Sequence, residues 1–155
     1  MSPAPISISS EILRQIEQEG VAAYPQECCG ILFGQDANPR GARSVDRIEP
    51  VPNVFDESER FHRFSISPQQ LMRAEKSAAE RDQLVLGFYH SHPDHPARPS
   101  EYDRAHAWPF YSYVIVSIQN REPADLTSWV LSEETQSFVR QDVIEINEKE
   151  RQGNL

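Results

Sequence analysis

Two histidines and one aspartate, close together in the sequence, are the residues of this chain best suited to bind a metal ion. They are His90, His92 and Asp103. Two imidazoles and one carboxylate give zinc three protein ligands and leave the fourth tetrahedral position to water, which is the arrangement of a catalytic site. We therefore expect one Zn²⁺ per chain and a hydrolytic reaction in which water is the nucleophile.

Two segments with different expected structures would bring these ligands together. Residues 84–89 are an apolar run typical of a buried strand. His90 and His92 follow two positions apart, so in extended backbone both imidazoles project to the same face. Three prolines then exclude a helix until Ser100, which is well placed as the N-cap of a short helix with Asp103 in its first turn. The third ligand thus comes from a second element.

Each of these residues also has a purely structural explanation. A serine followed three positions later by an acidic residue is a variant of the capping box, so Ser100 and Asp103 could serve only to start a helix. The combined pattern of strand, His-x-His, proline-rich turn, Ser and Asp favours metal binding. His62, His95 and His106 lack this context and are predicted to lie at the surface or in loops, with His95 near enough to border the site.

The pattern resembles the signature of a known family. His-Ser-His at 90–92, followed after seven residues by Ser100 and after two more by Asp103, is similar to the signature of the JAMM metallopeptidases, also called the MPN+ family. That signature includes an upstream glutamate. Glu27, which precedes Cys-Cys-Gly and an apolar run in the segment 24–34, takes this place. The resemblance covers most of positions 10–145.

The resemblance implies a role for each residue. His90, His92 and Asp103 would bind zinc. Glu27 would accept a proton from water and pass it to the leaving amine. Ser100 would donate a hydrogen bond to the oxyanion of the tetrahedral intermediate. On the sequence alone, however, an exposed loop carboxylate is the simpler explanation of Glu27, because more than sixty residues separate it from His90.

A further residue is implied at the substrate groove. Asn53 lies in the irregular segment 50–60, which the resemblance places near the substrate. It would bind substrate or hold the loop that covers the metal. A turn-forming asparagine after Pro52 is the alternative.

The resemblance also implies a substrate. JAMM enzymes act after the C-terminal Gly-Gly of ubiquitin or ubiquitin-like proteins, and compact members act on small sulfur-carrier proteins. We therefore expect hydrolysis of a peptide or isopeptide bond after Gly-Gly, with a sulfur carrier favoured because the chain is nearly all catalytic domain. A non-catalytic MPN scaffold and a broader zinc amidohydrolase are the alternatives. A zinc deaminase would need His-x-Glu and Cys-x-x-Cys, which the sequence lacks.

The composition fits a single cytoplasmic domain. We expect one catalytic domain over the 155 residues, with flexible tails at about 1–8 and 148–155. No apolar run approaches the roughly 20 residues needed to cross a bilayer, and the N-terminus lacks the features of a secretion signal. A net charge of -9 argues against a nucleic-acid partner and leaves protein substrates open.

The two cysteines are adjacent, and a disulfide between them is geometrically disfavoured. We interpret Cys28 and Cys29 as reduced, mostly buried side chains of an intracellular protein. A nucleophilic cysteine next to Glu27 is the alternative, although no activating histidine is identifiable.

The periodicity predicts alternating helices and strands. Helices are expected from Ser9 or Ser10 to about 24, over 68–82 and after Ser100, and strands over 30–33, 44–49, 61–66, 84–89, 110–118, 126–131 and 138–146. This order predicts an α/β protein of mixed α+β type, with a central mixed sheet flanked by helices. The resemblance implies the MPN/JAMM fold, whose layers resemble those of cytidine deaminases.

Overall fold

The computed structural model describes residues 3–52 and 66–147. The helices are α1 (Ser10–Ala23), α2 (Pro68–Glu80) and α3 (Glu101–Ala105). The strands are β1 (Ile6–Ser9), β2 (Cys29–Gln35), β3 (Arg43–Val51), β4 (Leu84–Pro93), β5 (Ser112–Gln119), β6 (Glu122–Leu131), β7 (Phe138–Gln141) and β8 (Val143–Ile146). Asn53 and all but the last residue of the expected 61–66 strand lie outside the described residues.

The strands of the described residues form one mixed sheet in the order β7-β6-β5-β4-β2-β3-β1-β8. β1 is parallel to both of its neighbours and β4 is parallel to β5, whereas the other pairs are antiparallel. Successive strand residues face opposite sides, so Leu32 belongs to the core cluster that includes Ile12 of α1, and Phe33 belongs to the cluster that includes Ala74 of α2. The two longer helices therefore cover opposite faces, and the expected fold class is confirmed.

Both longer helices begin where their capping residues predict. Ser9 Oγ accepts a hydrogen bond from the Ile12 N–H at 3.1 Å. Ser67 Oγ accepts from the Gln70 N–H at 3.1 Å, and the Gln70 side chain accepts from the Ser67 N–H at 2.8 Å, which completes a capping box. α2 ends before the expected position 82 because Asp82 takes a left-handed φ of 54°.

The expected flexible tail over 1–8 is wrong at its C-terminal end. Ile6 and Ile8 are fully buried in β1, a strand that sequence analysis missed. β1 lies between β3 and β8, so both of its edges are paired. Four residues are too few to show a clear period, which is why this strand escaped notice. The other expected tail, 148–155, lies outside the described residues.

The expected single strand over 138–146 is two strands. β7 pairs with β6 at one edge of the sheet, and β8 pairs with β1 at the other edge. Asp142 separates them, and its carbonyl accepts a hydrogen bond from the Ile6 N–H at 2.9 Å. The change of partner depends on contacts with β1, which the local sequence does not reveal. None of the described helices has the length and apolar character needed to span a membrane.

Candidate metal centre

β4 places the two histidines side by side. The strand continues to Pro93, so His90 and His92 lie within it rather than after it. Their Nε2 atoms are 3.1 Å apart. His90 is fully buried and His92 is 8% exposed. The expectation that both rings face the same side is confirmed.

α3 brings the carboxylate of Asp103 to the same point. Asp103 Oδ2 lies 3.3 Å from Nε2 of His92 and 3.4 Å from Nε2 of His90. The same oxygen accepts a hydrogen bond from the Ser100 N–H at 2.8 Å, and Ser100 Oγ accepts from the Asp103 N–H at 3.0 Å. The capping box therefore exists, and it also directs the carboxylate at the histidines. The two explanations of Ser100 and Asp103 do not exclude each other.

The spacing of these three atoms fits a metal ion. Ligands bound to tetrahedral zinc at about 2.0–2.1 Å lie roughly 3.3 Å from one another. The separations here are 3.1, 3.3 and 3.4 Å. The arrangement is thus close to one face of a zinc tetrahedron.

The protonation of His92 points to the same conclusion. Its Nδ1 lies 2.9 Å from the Pro96 carbonyl, which can only accept, so Nδ1 carries the hydrogen. Nε2 can then donate to the Asp103 carboxylate only when the ring is protonated, and in the neutral ring Nε2 carries the lone pair that a metal ion would bind. A carbonyl partner on the far nitrogen is also the usual way in which proteins orient a histidine ligand.

Glu27 reaches the histidines from the segment that leads into β2. A carboxylate oxygen lies within 4.8 Å of a ring nitrogen of both His90 and His92. Glu27 is only 4% exposed, and its Oε2 has no hydrogen-bond partner in the described part of the chain. Burial first, and then the charge of Asp103, raise the pKa of Glu27 to about 9. The explanation of Glu27 as an exposed loop carboxylate is therefore wrong.

The charges of the cluster suit metal binding. Burial alone would raise the pKa of Asp103, but the charge that His90 carries when it is protonated, together with hydrogen bonds from the protonated histidines and from the Ser100 N–H, holds the pKa of Asp103 below its usual value. Burial lowers the pKa of His90, against the opposing effect of Asp103. An ionised carboxylate beside a neutral imidazole is the state in which these side chains coordinate a metal.

Glu27, His92 and Ser100 line a common pocket of about 350 Å³. Ser100 is exposed there, and within residues 3–52 and 66–147 its hydroxyl hydrogen has no acceptor. His95 lines the same pocket, as expected for a residue bordering the site. His106 is exposed and stacks on the Tyr102 ring at 4.0 Å. His62 lies outside the described residues.

The cysteines lack the properties of a nucleophile. Cys28 is partly buried, Cys29 is buried, and both are free. Burial raises the pKa of Cys28 to about 11 and that of Cys29 to about 12. Because the thiolate is the reactive form, the alternative of a cysteine nucleophile is disfavoured.

Two features of the site escaped sequence analysis. The Pro96 carbonyl holds His92, and no side-chain pattern signals a backbone acceptor. Asp103 also lines a small apolar pocket of about 100 Å³, whose aromatic walls include Phe88, Trp108 and Tyr113. The clustering of aromatic residues at 108–113 was the available signal for this pocket.

Comparison with known families agrees with this site. Residues 9–132 match the family described as prokaryotic homologs of the JAB domain, and all five converging or pocket-lining residues fall within the match: Glu27, His90, His92, Ser100 and Asp103. The chain belongs to this family. The resemblance to the JAMM, or JAB/MPN, proteins is thereby confirmed.

Two relatives illustrate the similarity. A desampylase of Haloferax volcanii is 35% identical over 109 residues, which make up 69% of this chain and 74% of that protein. A probable TtuB-protein conjugate cleaving protease of Thermus thermophilus is 30% identical over 106 residues, which make up 68% of this chain and 60% of the relative.

A solved structure shows how far the fold is shared. The solution structure of a protein from Desulfitobacterium hafniense superposes with a TM-score of 0.77 and 28% sequence identity. The similarity covers 92% of this chain and 94% of that one. The fold is therefore shared over nearly the whole length of both.

Proposed function

We propose that the protein is a zinc-dependent metallopeptidase that hydrolyses the peptide or isopeptide bond after the C-terminal Gly-Gly of a ubiquitin-like or small sulfur-carrier protein. One zinc ion per chain would be held by His90, His92 and Asp103. The observation that carries the proposal is the convergence of these three ligand atoms at 3.1–3.4 Å beside the buried carboxylate of Glu27. The names of the two relatives, a desampylase and a conjugate-cleaving protease, support the reaction class.

Glu27 holds and moves the proton in this mechanism. Zinc, when bound, acts as a Lewis acid and lowers the pKa of water from about 15.7 to about 7. Oε2 of Glu27, which has no hydrogen-bond partner among the described residues, accepts the proton of the attacking water and then donates it to the leaving amine. Burial raises the pKa of this carboxyl in the metal-free chain, whereas a cation beside it would favour the ionised form, which is the form that can accept the proton of water and pass it to the amine.

Ser100 stabilises the developing charge. Its oxygen is fixed by the hydrogen bond from the Asp103 N–H at 3.0 Å, and its own hydrogen, which has no acceptor among residues 3–52 and 66–147, is left to donate. The acceptor is the substrate carbonyl oxygen, which gains negative charge during attack. Removing one such donor typically costs about 3–4 kcal/mol of transition-state stabilisation.

The preference for Gly-Gly follows from the narrow space available to an extended C-terminal tail. Only residues without side chains let an extended chain lie close enough for its carbonyl to enter a buried site, which favours Gly-Gly before the scissile bond. The pocket beside Ser100, of about 350 Å³, would receive the groups next to that bond. A cytoplasmic location belongs to the same proposal and is supported by the two free cysteines.

Intact mass measurement tests the proposal. The zinc-loaded protein is incubated with a sulfur-carrier protein that carries a short peptide after Gly-Gly, and with the same carrier ending in Ala-Ala before the peptide. We expect the first carrier to lose the peptide and the second to stay intact. Cleavage of both at equal rates would indicate the broader amidohydrolase. An unchanged mass in both, from a protein that retains no zinc after incubation with the metal and removal of the excess, would indicate the scaffold.

A further inference from the structure

Ser91 lies between the two proposed histidine ligands but faces the other side of the sheet, because neighbouring strand residues alternate. It is fully buried. It packs towards α1, where a Cβ added to Gly20 would lie 3.4 Å from the Ser91 Cβ. The mechanism above gives this buried hydroxyl no role.

The Ser91 hydroxyl replaces a backbone acceptor between two strands. β2 and β4 run antiparallel with Cys29 opposite His90, so Cys28 lies opposite Ser91. The Ser91 N–H donates to the Cys28 carbonyl at 3.1 Å. In a regular hydrogen-bonded pair the Cys28 N–H would donate back to the Ser91 carbonyl. Here it donates to Ser91 Oγ at 2.8 Å. The hydroxyl thus joins the strands one residue before β2 begins.

The residue before this junction is Glu27. Glu27 lies in the segment 24–28. Hydrogen bonds at both ends of this segment connect it to the end of β4 or to Asp94, the residue that follows β4. At one end, the Cys28 N–H is held by Ser91. At the other end, the Tyr24 hydroxyl donates to the Asp94 carboxylate, which also accepts from the Asn120 N–H at 2.8 Å. These two hydrogen bonds hold the segment that carries Glu27 against the C-terminal end of the strand that carries the histidines.

We propose that Ser91 is a positioning residue for the hydrolytic reaction, whose hydroxyl holds Cys28 and thereby keeps the Glu27 carboxylate beside the His90–His92 pair. The proposal rests on the proposed function for its effect on rate, and on the hydrogen bond alone for its effect on structure. Ser91 faces away from the side of the sheet on which the histidines lie, so its role is to position Glu27 and not to take part in the reaction itself. Its position between the histidines allows one short segment of β4 to supply two ligands on one face and to anchor the glutamate segment along its edge.

Steady-state kinetics of Ser91→Ala tests the effect on rate. A misplacement of about 1 Å can cost about 100-fold, so we expect kcat to fall about 10- to 100-fold, with KM changed less than about twofold. Zinc content should stay near one per chain. Ser91→Thr keeps the hydroxyl and should restore most of the rate. A kcat of Ser91→Ala equal to wild type, or a loss of rate that follows a loss of zinc, overturns the proposal.

A matched control separates positioning from general stability. Ser128 is also fully buried, and its hydroxyl donates to Gln141 Oε1 at 2.7 Å, on a strand that carries no site residue. Ser128→Ala should lower the melting temperature about as much as Ser91→Ala and leave kcat unchanged. In a Glu27→Gln background, Ser91→Ala should have no further effect on the residual rate, because residues that act through one another are non-additive. If Ser91→Ala lowers the residual rate of Glu27→Gln by the same factor as it lowers the wild-type rate, the proposal is overturned.

Hydrogen exchange of the Cys28 amide tests the structural effect without any substrate. In Ser91→Ala this amide should exchange at least about tenfold faster than in wild type, and in Ser128→Ala it should be unchanged. An inactive wild type refutes the proposed function, and the positioning of Cys28 is then decided by exchange alone. If the Cys28 amide exchanges at the wild-type rate in Ser91→Ala, the positioning role of Ser91 is overturned.

Discussion

Glu27→Gln in the metal-free protein should remove a pH dependence of folding stability that the buried carboxyl creates. Glutamine has nearly the same shape but cannot ionise. In the metal-free chain, burial and then Asp103 raise the pKa of Glu27 from 4.5 to about 9. The protonated form is therefore favoured in the folded state over a wide pH range in which the unfolded chain ionises.

The sign and size follow from proton linkage. A carboxyl whose folded pKa is raised contributes stability that is fully present below about pH 4.5 and is lost as the pH rises through about 9. Each pH unit in that window costs about 1.4 kcal/mol, so about three units between pH 4.5 and 7.5 cost at most about 4 kcal/mol. Glutamine avoids this loss. Its unpaired buried amide costs about 1–3 kcal/mol at every pH, which is a constant offset.

Denaturant unfolding after chelation measures this difference. The free energy of unfolding of Glu27→Gln minus that of wild type should grow by several kcal/mol between pH 5 and pH 8 and then level off near pH 9. With zinc restored, the growth should disappear, since a nearby cation favours the ionised carboxylate. The same variant should bind zinc and lack hydrolytic activity. A difference that is constant between pH 5 and pH 8 would refute the assignment of Glu27 as a buried carboxyl with a raised pKa.

Three further changes test the remaining parts of the site. His92→Ala should reduce zinc from one per chain to below about one tenth by metal analysis, whereas His106→Ala should leave it unchanged; bound zinc in the first variant would contradict ligation. Ser100→Ala should lower kcat about 100- to 1000-fold with zinc retained. It should also destabilise the protein by about 1 kcal/mol through loss of the cap, and a loss of stability alone would leave only the capping role. Chelation should lower the melting temperature, and zinc at about 100 times its Kd should restore about 2.7 kcal/mol of stability; a melting temperature indifferent to zinc would contradict a specific site.

The parts of the site that sequence could predict are those with a local cause. Alternation along an extended chain places His90 and His92 on one face whatever the rest of the fold does. Ser100 and Asp103 form a capping box within four consecutive residues, so their geometry is also local. The burial of Glu27 has no local cause. It depends on β2 pairing with β4, and the family resemblance alone indicated it.

Among the helices and strands, too, only the features with a local cause could be predicted. The N-terminal caps of α1 and α2 follow from Ser9 and from Ser67 with Pro68, so their starts could be predicted. β1 could not, because it is only four residues long and is stabilised by pairing with β8 across most of the chain, and β8 was predicted only as the end of one longer strand. The prediction of a single strand over 138–146 was wrong because the pairing of β8 with β1 is not visible in the local sequence. A strand that changes partners after Gln141 looks continuous in its own sequence.

The double use of Asp103 Oδ2 explains why a helix cap and a metal ligand could not be distinguished by pattern. The Ser100 N–H binds this oxygen at 2.8 Å, and the oxygen is at the same time within 3.4 Å of both histidine nitrogens. A capping box limits the rotamers of its N3 side chain, so the carboxylate is held in place by the backbone before any cation arrives. Fixing a ligand in advance lowers the entropy lost on binding, as for any preorganised site. The cap is therefore part of how the third ligand is positioned, and the two interpretations describe one structure.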